Sequence, residues 1–241
     1  MRAVVCGANG AMGKLIQASL GQDRIGGLVS LDGENGVPKN FGELGACDAR
    51  VIIDFSHHSA VFGVLEYAIA HKMAVVVGTT GHTAEEKEAI FAAAKEIPLF
   101  YSGNMSLGVA VLCRLAKQAA AAFPDADIEI VEIHHIRKVD APSGTAKMLF
   151  EAVKEARPDA YAHCGRSGEG KREKNEVGIS ALRMGNVVGI HEVHICTPSQ
   201  TLTLRHEAHN RAMFADGAVA AAEFVADKIP GLYNMEDFLN Q

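Results

Sequence analysis

Ala3-Val4-Val5-Cys6-Gly7-Ala8-Asn9-Gly10-Ala11-Met12-Gly13-Lys14-Leu15-Ile16 is an apolar run, a glycine-rich turn and the opening of a helical repeat, in that order. Four consecutive apolar residues are too few for a helix and fit a strand covered on both faces. Gly7 stops the run, and helical spacing carries on to Leu20. Strand, glycine turn and helix together form the setting in which a dinucleotide pyrophosphate rests on a helix N-terminus. Glycine permits close backbone approach, and the amide N–H groups and helix dipole face the phosphates. The spacing is G-x-x-G-x-x-G, a relative of the G-x-G-x-x-G pattern. Gly7, Ala8, Asn9, Gly10, Ala11, Met12 and Gly13 are therefore candidate cofactor-binding residues. A magnesium-nucleotide P-loop is rejected: Leu15 stands where Ser or Thr is required, and Ala8 where the first glycine belongs.

Downstream, strands and helices alternate as in a parallel sheet. Residues 25–31 predict a second strand. In dinucleotide-binding sheets an acid at its end holds the adenosine ribose, or a nearby Arg holds the 2′-phosphate of NADP. Here the acid is displaced to Asp32, beyond Ser30, which leaves NADH and NADPH both open. Residues 33–45 read as a loop. Further strands are predicted over 50–55, 74–77 and 98–101, and helices over 60–71, 85–96 and 107–123. Gly78-Thr79-Thr80 follows a buried strand at the carboxyl end of the sheet, where ligands of open α/β folds bind. Contact with a nicotinamide ribose and an ordinary turn leading to an N-cap at Thr83 explain these residues equally well.

Composition narrows the class. A net charge of −6 argues against general nucleic-acid binding. No apolar run approaches the ~20 residues of a membrane span, and a strand at the very start leaves no signal peptide, so a cytoplasmic protein is expected. The five cysteines, an odd number without C-x-x-C spacing, predict buried reduced thiols. His57-His58, His191 with His194, and His206 with His209 lack carboxylates at metal-ligand spacing, so no metal site is expected.

After Pro124 the pattern changes. Residues 128–135 alternate apolar and polar side chains, as in a half-exposed strand. A helix is predicted over 143–155, a polar loop over 157–176, and then strands over 177–184, 188–197 and 200–207, read as an antiparallel meander. An Ala-rich helix over 213–227 is expected to pack back on the first half.

The chemistry concentrates between residues 131 and 146. His134 and His135 are adjacent, and consecutive strand residues point to opposite faces, so both serve one site only if the strand ends there. Lys138 follows across a loop. Ser143 reads as an N-cap, and the helix opening at Gly144 and Thr145 offers N–H groups to a carboxylate. Two cations, a possible imidazolium and a helix N-terminus suit a small polycarboxylate.

Glu132-Ile133-His134-His135-Ile136-Arg137-Lys138-Val139-Asp140-Ala141-Pro142-Ser143-Gly144-Thr145-Ala146 closely resembles the signature of the 4-hydroxy-tetrahydrodipicolinate reductase family. Asp54-Phe55-Ser56, Gly78-Thr79-Thr80-Gly81 and Asn104-Met105-Ser106-Leu107-Gly108 resemble further family segments, in the same order. The resemblance implies an α/β fold. An N-terminal Rossmann-type parallel sheet, over 1–106 and 213–241, binds the dinucleotide. An inserted α+β domain over 107–212, with a mostly antiparallel sheet, binds substrate and builds a homotetramer. It implies NADH- or NADPH-dependent reduction of a cyclic dicarboxylate, 4-hydroxy-tetrahydrodipicolinate, in the diaminopimelate route to lysine. Carried over by position, His134 is the proton donor and Lys138 the second catalytic group. His135, Lys138, Ser143, Gly144 and Thr145 are substrate contacts, and Gly78, Thr79, Thr80, Ser102, Gly103, Asn104 and Met105 are cofactor contacts. Family members often carry a basic residue at Ala11 and an acid near Ser30, so cofactor preference stays open. A different small-acid dehydrogenase, or a sensor that binds dinucleotide without turnover, are the alternatives.

Overall fold

The computed structural model describes residues 1–241, which divide into two compact units: 1–106 with 212–241, and 107–211. The first unit opens with β1 (Ala3–Cys6), α1 (Ala11–Leu20), β2 (Ile25–Val29), α2 (Phe41–Leu44), β3 (Val51–Asp54), α3 (Val61–His71), β4 (Ala74–Val77), α4 (Ala84–Ala93) and β5 (Pro98–Tyr101). The second holds α5 (Leu107–Ala122), β6 (Asp127–His134), α6 (Gly144–Ala156), β7 (Tyr161–Cys164), β8 (Glu176–Arg183), β9 (Gly189–Thr197) and β10 (Gln200–Ala208). The chain then returns to the first unit with α7 (Ala212–Val225), β11 (Gly231–Tyr233) and α8 (Met235–Leu239).

The first unit is a six-stranded sheet in the order β11-β5-β4-β3-β1-β2, parallel throughout. Every residue of β1, β3 and β4 is buried, which explains their uninterrupted apolar runs. Val4, Cys6, Ile52, Val75, Val77 and Leu99 join α3 and α4 in one core cluster. Helix α7 packs on α1 and on β3, β4 and β5. Phe224 of α7 meets Phe100, Tyr233 and Phe238 edge-on, tying β11 and α8 to β5. Strand order reverses between β1 and β3, the switch point where such sheets bind ligands.

Several elements differ from the sequence reading. Helix α1 starts three residues earlier than its apolar spacing suggests, because extended Gly10 takes the N-cap position. Residues 33–45 include the short helix α2, and the loop expected over 157–176 contains β7, a mostly exposed strand without an apolar signature. The second sheet is mixed, in the order β10-β9-β6-β8-β7. β9 pairs antiparallel with β6 and β10, whereas β8 runs parallel to β6 and β7. The last three strands are thus not a meander. β6 reaches the region of β8 through helix α6, and such a crossover delivers a parallel neighbour, leaving β6's other edge to β9.

Along β6 burial alternates, with Ile128, Ile130, Glu132 and His134 buried. Ile128 and Ile130 pack with Leu112 and Ala116 of α5 and Leu149 and Val153 of α6. All five cysteines are free. Cys6 is buried as expected, but Cys164 and Cys196 are exposed. No helix is long and apolar enough to cross a membrane.

Candidate active site

Strand β6 ends at His134, so His135 is the first residue beyond it. Two backbone bonds fix that end: the Met184 amide donates to the His134 carbonyl (2.8 Å) and the Ile136 amide to the Gly185 carbonyl (3.2 Å). Glu132, two residues back on the same face, is 0% exposed. Its Oε2 accepts from His134 Nδ1 (2.5 Å) and Arg183 Nη1 (2.8 Å). Its Oε1 accepts from Arg183 Nη2 (2.9 Å) and the Ser143 amide (3.1 Å). Register explains the meeting, since Arg183 pairs with His134 across β8 and His191 pairs with Glu132 across β9. The His191 ring stands edge-on to His134, with centroids 5.0 Å apart.

Ser143, expected among the substrate contacts, is turned inward. It is buried, its amide is bonded to Glu132, and its hydroxyl accepts from the Ala146 amide (3.1 Å) while lying 3.0 Å from His191 Nε2. It caps α6 and leaves the next residue in the open: Gly144 is exposed, and a Cβ added there would meet nothing within 4 Å. Thr145 is half-buried in the same first turn. Lys138 is half-buried and donates to Asp140 (2.8 Å), whose carboxyl this bond holds below its ordinary range. His135 is half-buried, with a buried Nδ1. Arg137 turns away to Asn186 (2.9 Å). Burial pulls the His134 pKa down most. The Glu132 bond works against that, and the Lys138 and Arg183 charges add to it, for a net lowering.

In the first unit, the β1 turn tolerates only glycine at two points. Gly7 has φ 81°, and a Cβ there would lie 2.2 Å from the Phe55 carbonyl oxygen at the end of β3. A Cβ at Gly13 would lie 2.1 Å from the Gly7 carbonyl oxygen. Helix α1 has neither a side-chain cap bond nor an acid in its first turn. A closely wrapped backbone facing an uncapped helix N-terminus fits a pyrophosphate. Asn9, in the same turn, donates to Asp32 (2.6 Å). Lys14 is exposed.

At the ends of β4 and β5 the expected contacts divide. Thr79 is buried, and its hydroxyl donates to Asp54 Oδ2 (2.8 Å). Gly78 is buried with Phe55 against the place of its missing Cβ, and Thr80 is exposed. Ser102, Gly103 and Asn104 form a turn closed by Ser102 Oγ donating to the Asn104 carbonyl (2.8 Å). A Cβ at Gly103 would stand 3.6 Å from Thr80 Cγ2, so the two turns adjoin. The Met105 side chain is buried in the core. A cavity of about 760 Å³ lies beside the switch point, lined by Cys6, Val29, Leu31, Phe41, Ala60 and Tyr67 among others.

Glu132, Arg183 and His191 received no role from the sequence. A Glu in phase with Ile128 and Ile130 on a buried strand face was the available signal for the first. The others come from distant strands and needed the register.

A doubly wound parallel sheet with a glycine turn at its switch point, joined in one chain to a unit carrying a carboxylate–imidazole pair beside an open helix N-terminus, defines a dinucleotide-dependent oxidoreductase. The family model described as dihydrodipicolinate reductase, N-terminus, matches residues 1–105, and that described as dihydrodipicolinate reductase, C-terminus, matches 108–239. The chain belongs to the dihydrodipicolinate reductase family. It is 43% identical over 242 residues to 4-hydroxy-tetrahydrodipicolinate reductase of Alkaliphilus metalliredigens (strain QYMF), covering 99% of each chain. It is 42% identical over 250 residues to the enzyme of that name from Caulobacter vibrioides (strain ATCC 19089 / CIP 103742 / CB 15), covering 99% and 97%. Its fold is similar to that of dipicolinate-bound dihydrodipicolinate reductase from Paenisporosarcina sp. TG-14, with TM-score 0.81, 24% identity and 97% of each chain covered.

Proposed function

We propose that the chain reduces 4-hydroxy-tetrahydrodipicolinate to tetrahydrodipicolinate with NADH or NADPH, the 4-hydroxyl leaving as water to give the conjugated imine that accepts the hydride, as a cytoplasmic step of the diaminopimelate route to lysine. The observation that carries this reading is the His134 imidazole, bonded to buried Glu132 at the end of β6, beside Lys138 and the exposed Gly144 at the start of α6. The nicotinamide, when bound, supplies hydride. The chain's own residues bind, orient and protonate. Backbone N–H groups over Gly7–Gly13 and the start of α1 take the pyrophosphate, with Thr80 and the Ser102–Met105 turn towards the nicotinamide end. Amides at Gly144 and Thr145, together with Lys138 and His135, hold the two substrate carboxylates. His134 delivers a proton to the enamine carbon that hydride addition leaves behind.

The lowered pKa of His134 suits this order of events. Lys138 is one of the charges that disfavour the imidazolium, and a dianion docked on Lys138 screens that charge and favours the protonated ring. The acid is then charged when substrate is present.

A homotetramer is part of the proposal. On the sheet face turned from α5 and α6, Val131 and Ile133 of β6, Leu182 of β8 and Ile190 of β9 are exposed or half-exposed apolar neighbours. Such a face is characteristic of a surface covered on assembly.

The test is a coupled assay in which the synthase product is generated in place and oxidation of NADH and of NADPH is followed separately. Consumption of at least one nucleotide supports the reading. Bound nucleotide that is never consumed favours the sensor, and turnover only with other oxo acids favours a different dehydrogenase.

A further inference from the structure

The buried Glu132 has more partners than a structural counter-ion needs. The Arg183 guanidinium grips it with two parallel bonds of 2.8 and 2.9 Å, and the Ser143 amide adds a third at 3.1 Å. Three fixed donors hold the carboxylate against one wall, and its one bond to a titratable side chain runs to His134 Nδ1, at 2.5 Å. Burial raises the carboxyl's pKa most, but the bonds from Arg183 and His134 outweigh it and leave the group ionised below its ordinary value. An ionised carboxylate only accepts, so Nδ1 must carry the proton in that bond.

The other ring nitrogen faces a different surface. Nε2 of His134 looks towards Gly189, where an added Cβ would stand 3.1 Å away. His191 closes a second side, but it is a poor proton donor. Its Nε2 is 3.0 Å from the Ser143 hydroxyl, and burial, reinforced by the His134 charge, pushes its pKa down to about 4. The titratable and charged groups facing the His134 ring are therefore Glu132 on its own strand, Arg183 on β8, His191 on β9, and Lys138 with Asp140 in the loop beyond.

Building on the reduction proposed above, we infer that Glu132 is the positioning residue of its proton-transfer step. By accepting the Nδ1–H of His134, it fixes the ring and its tautomer, so that Nε2, over Gly189, is the atom that gives the proton to substrate. In that step the Nε2–H bond of the imidazolium breaks and its electron pair stays on the ring. The enamine π pair forms the new C–H bond, and water later restores the proton at Nε2. Arg183 and the Ser143 amide act one layer further out, by holding Glu132 in place.

Two measurements test this on the intact protein. Ring-nitrogen NMR of the wild type at a pH where His134 is neutral should show the proton on Nδ1; a proton on Nε2 overturns the inference. Steady-state profiles against pH for the wild type and Glu132→Gln should show kcat lowered roughly a hundredfold, with KM within about threefold, and the basic limb moved at least about one pH unit lower. A folded Glu132→Gln protein with the parent's kcat and limb also overturns it. Should that variant not fold, the wild-type tautomer decides. A wild type with the Nδ1 proton that reduces nothing sinks the proposed reaction instead, because the dyad then exists without the chemistry.

Discussion

Gly189 leaves open the one ring nitrogen of His134 that Glu132 does not occupy: a Cβ at position 189 would stand 3.1 Å from Nε2. Gly189→Ala should lower turnover about tenfold or more by crowding the proton donor. Overpacking of this kind costs about 1–3 kcal/mol of stability, so the fold should survive. Turnover and a thermal melt measured together decide. An unchanged rate in a normally folded variant would mean that Nε2 is not the reacting atom.

His134→Ala and Lys138→Ala should each lower turnover roughly a hundredfold or more, as removal of a proton-transfer group or its charge partner does. The two should separate in KM. Lys138→Ala loses a charge-assisted bond to a carboxylate, of about 1.5–3 kcal/mol, so its KM should rise at least tenfold. Equal KM values in both variants would take the carboxylate away from Lys138.

Gly144→Ala is a clean probe of the α6 N-terminus, because the added methyl meets nothing within 4 Å beyond its chain neighbours and the backbone of its own helix. Alanine also favours helix over glycine by up to about 1 kcal/mol, so the melting temperature should hold or rise. Substrate KM should increase several-fold, because the methyl enters the space over the first-turn amides. An unaltered KM would place the carboxylate elsewhere.

The fixed Asn9–Asp32 bond of 2.6 Å sets an exposed carboxylate just beyond β2, where the adenosine ribose belongs. A 2′-phosphate there meets a like charge. Asp32→Ala should therefore raise the NADPH-to-NADH ratio of kcat/KM roughly tenfold. The same ratio before and after would mean that the ribose lies away from Asp32.

Stability should fall in mild acid. Burial lowers the folded-state pKa of His191 from 6.5 to about 4, and burial also lowers those of His82 and His206. A base whose folded pKa is depressed binds more protons when unfolded. Its contribution is complete above the unfolded value near 6.5 and drains away as pH drops towards the folded value. Denaturant midpoints should decline steadily from neutral pH to pH near 4. Replacing His191 by Asn should flatten that decline, and an equally steep decline in the variant would assign it to other groups.

How far the sequence foretold this protein depends on where each signal lies. β1, β3 and β4 were readable because burial on both faces writes an unbroken apolar run into four residues. β11 was not: Gly231-Leu232-Tyr233 is a strand only because it pairs with β5. β7 was hidden for the opposite reason, since most of its side chains face solvent. In the site, His134, Lys138 and Gly144 lie within a dozen residues and announce themselves by density. Arg183 and His191 arrive from β8 and β9, and nothing in their own neighbourhoods marks them. The Ser143 hydroxyl, placed among the substrate contacts by resemblance, instead joins the helix cap to His191.

The pairing of β11 with β5, and of α7 with α1, has a consequence for the order of folding. The nucleotide-binding sheet is completed by residues translated after Arg211. Residues 107–211 are contiguous and hold a core of their own, so they can fold without that later segment. Domains usually mature from the N-terminus onward, but here the middle of the polypeptide can settle first. A released chain truncated after Arg211 should then resist protease in the inserted unit while the first hundred residues are still cut.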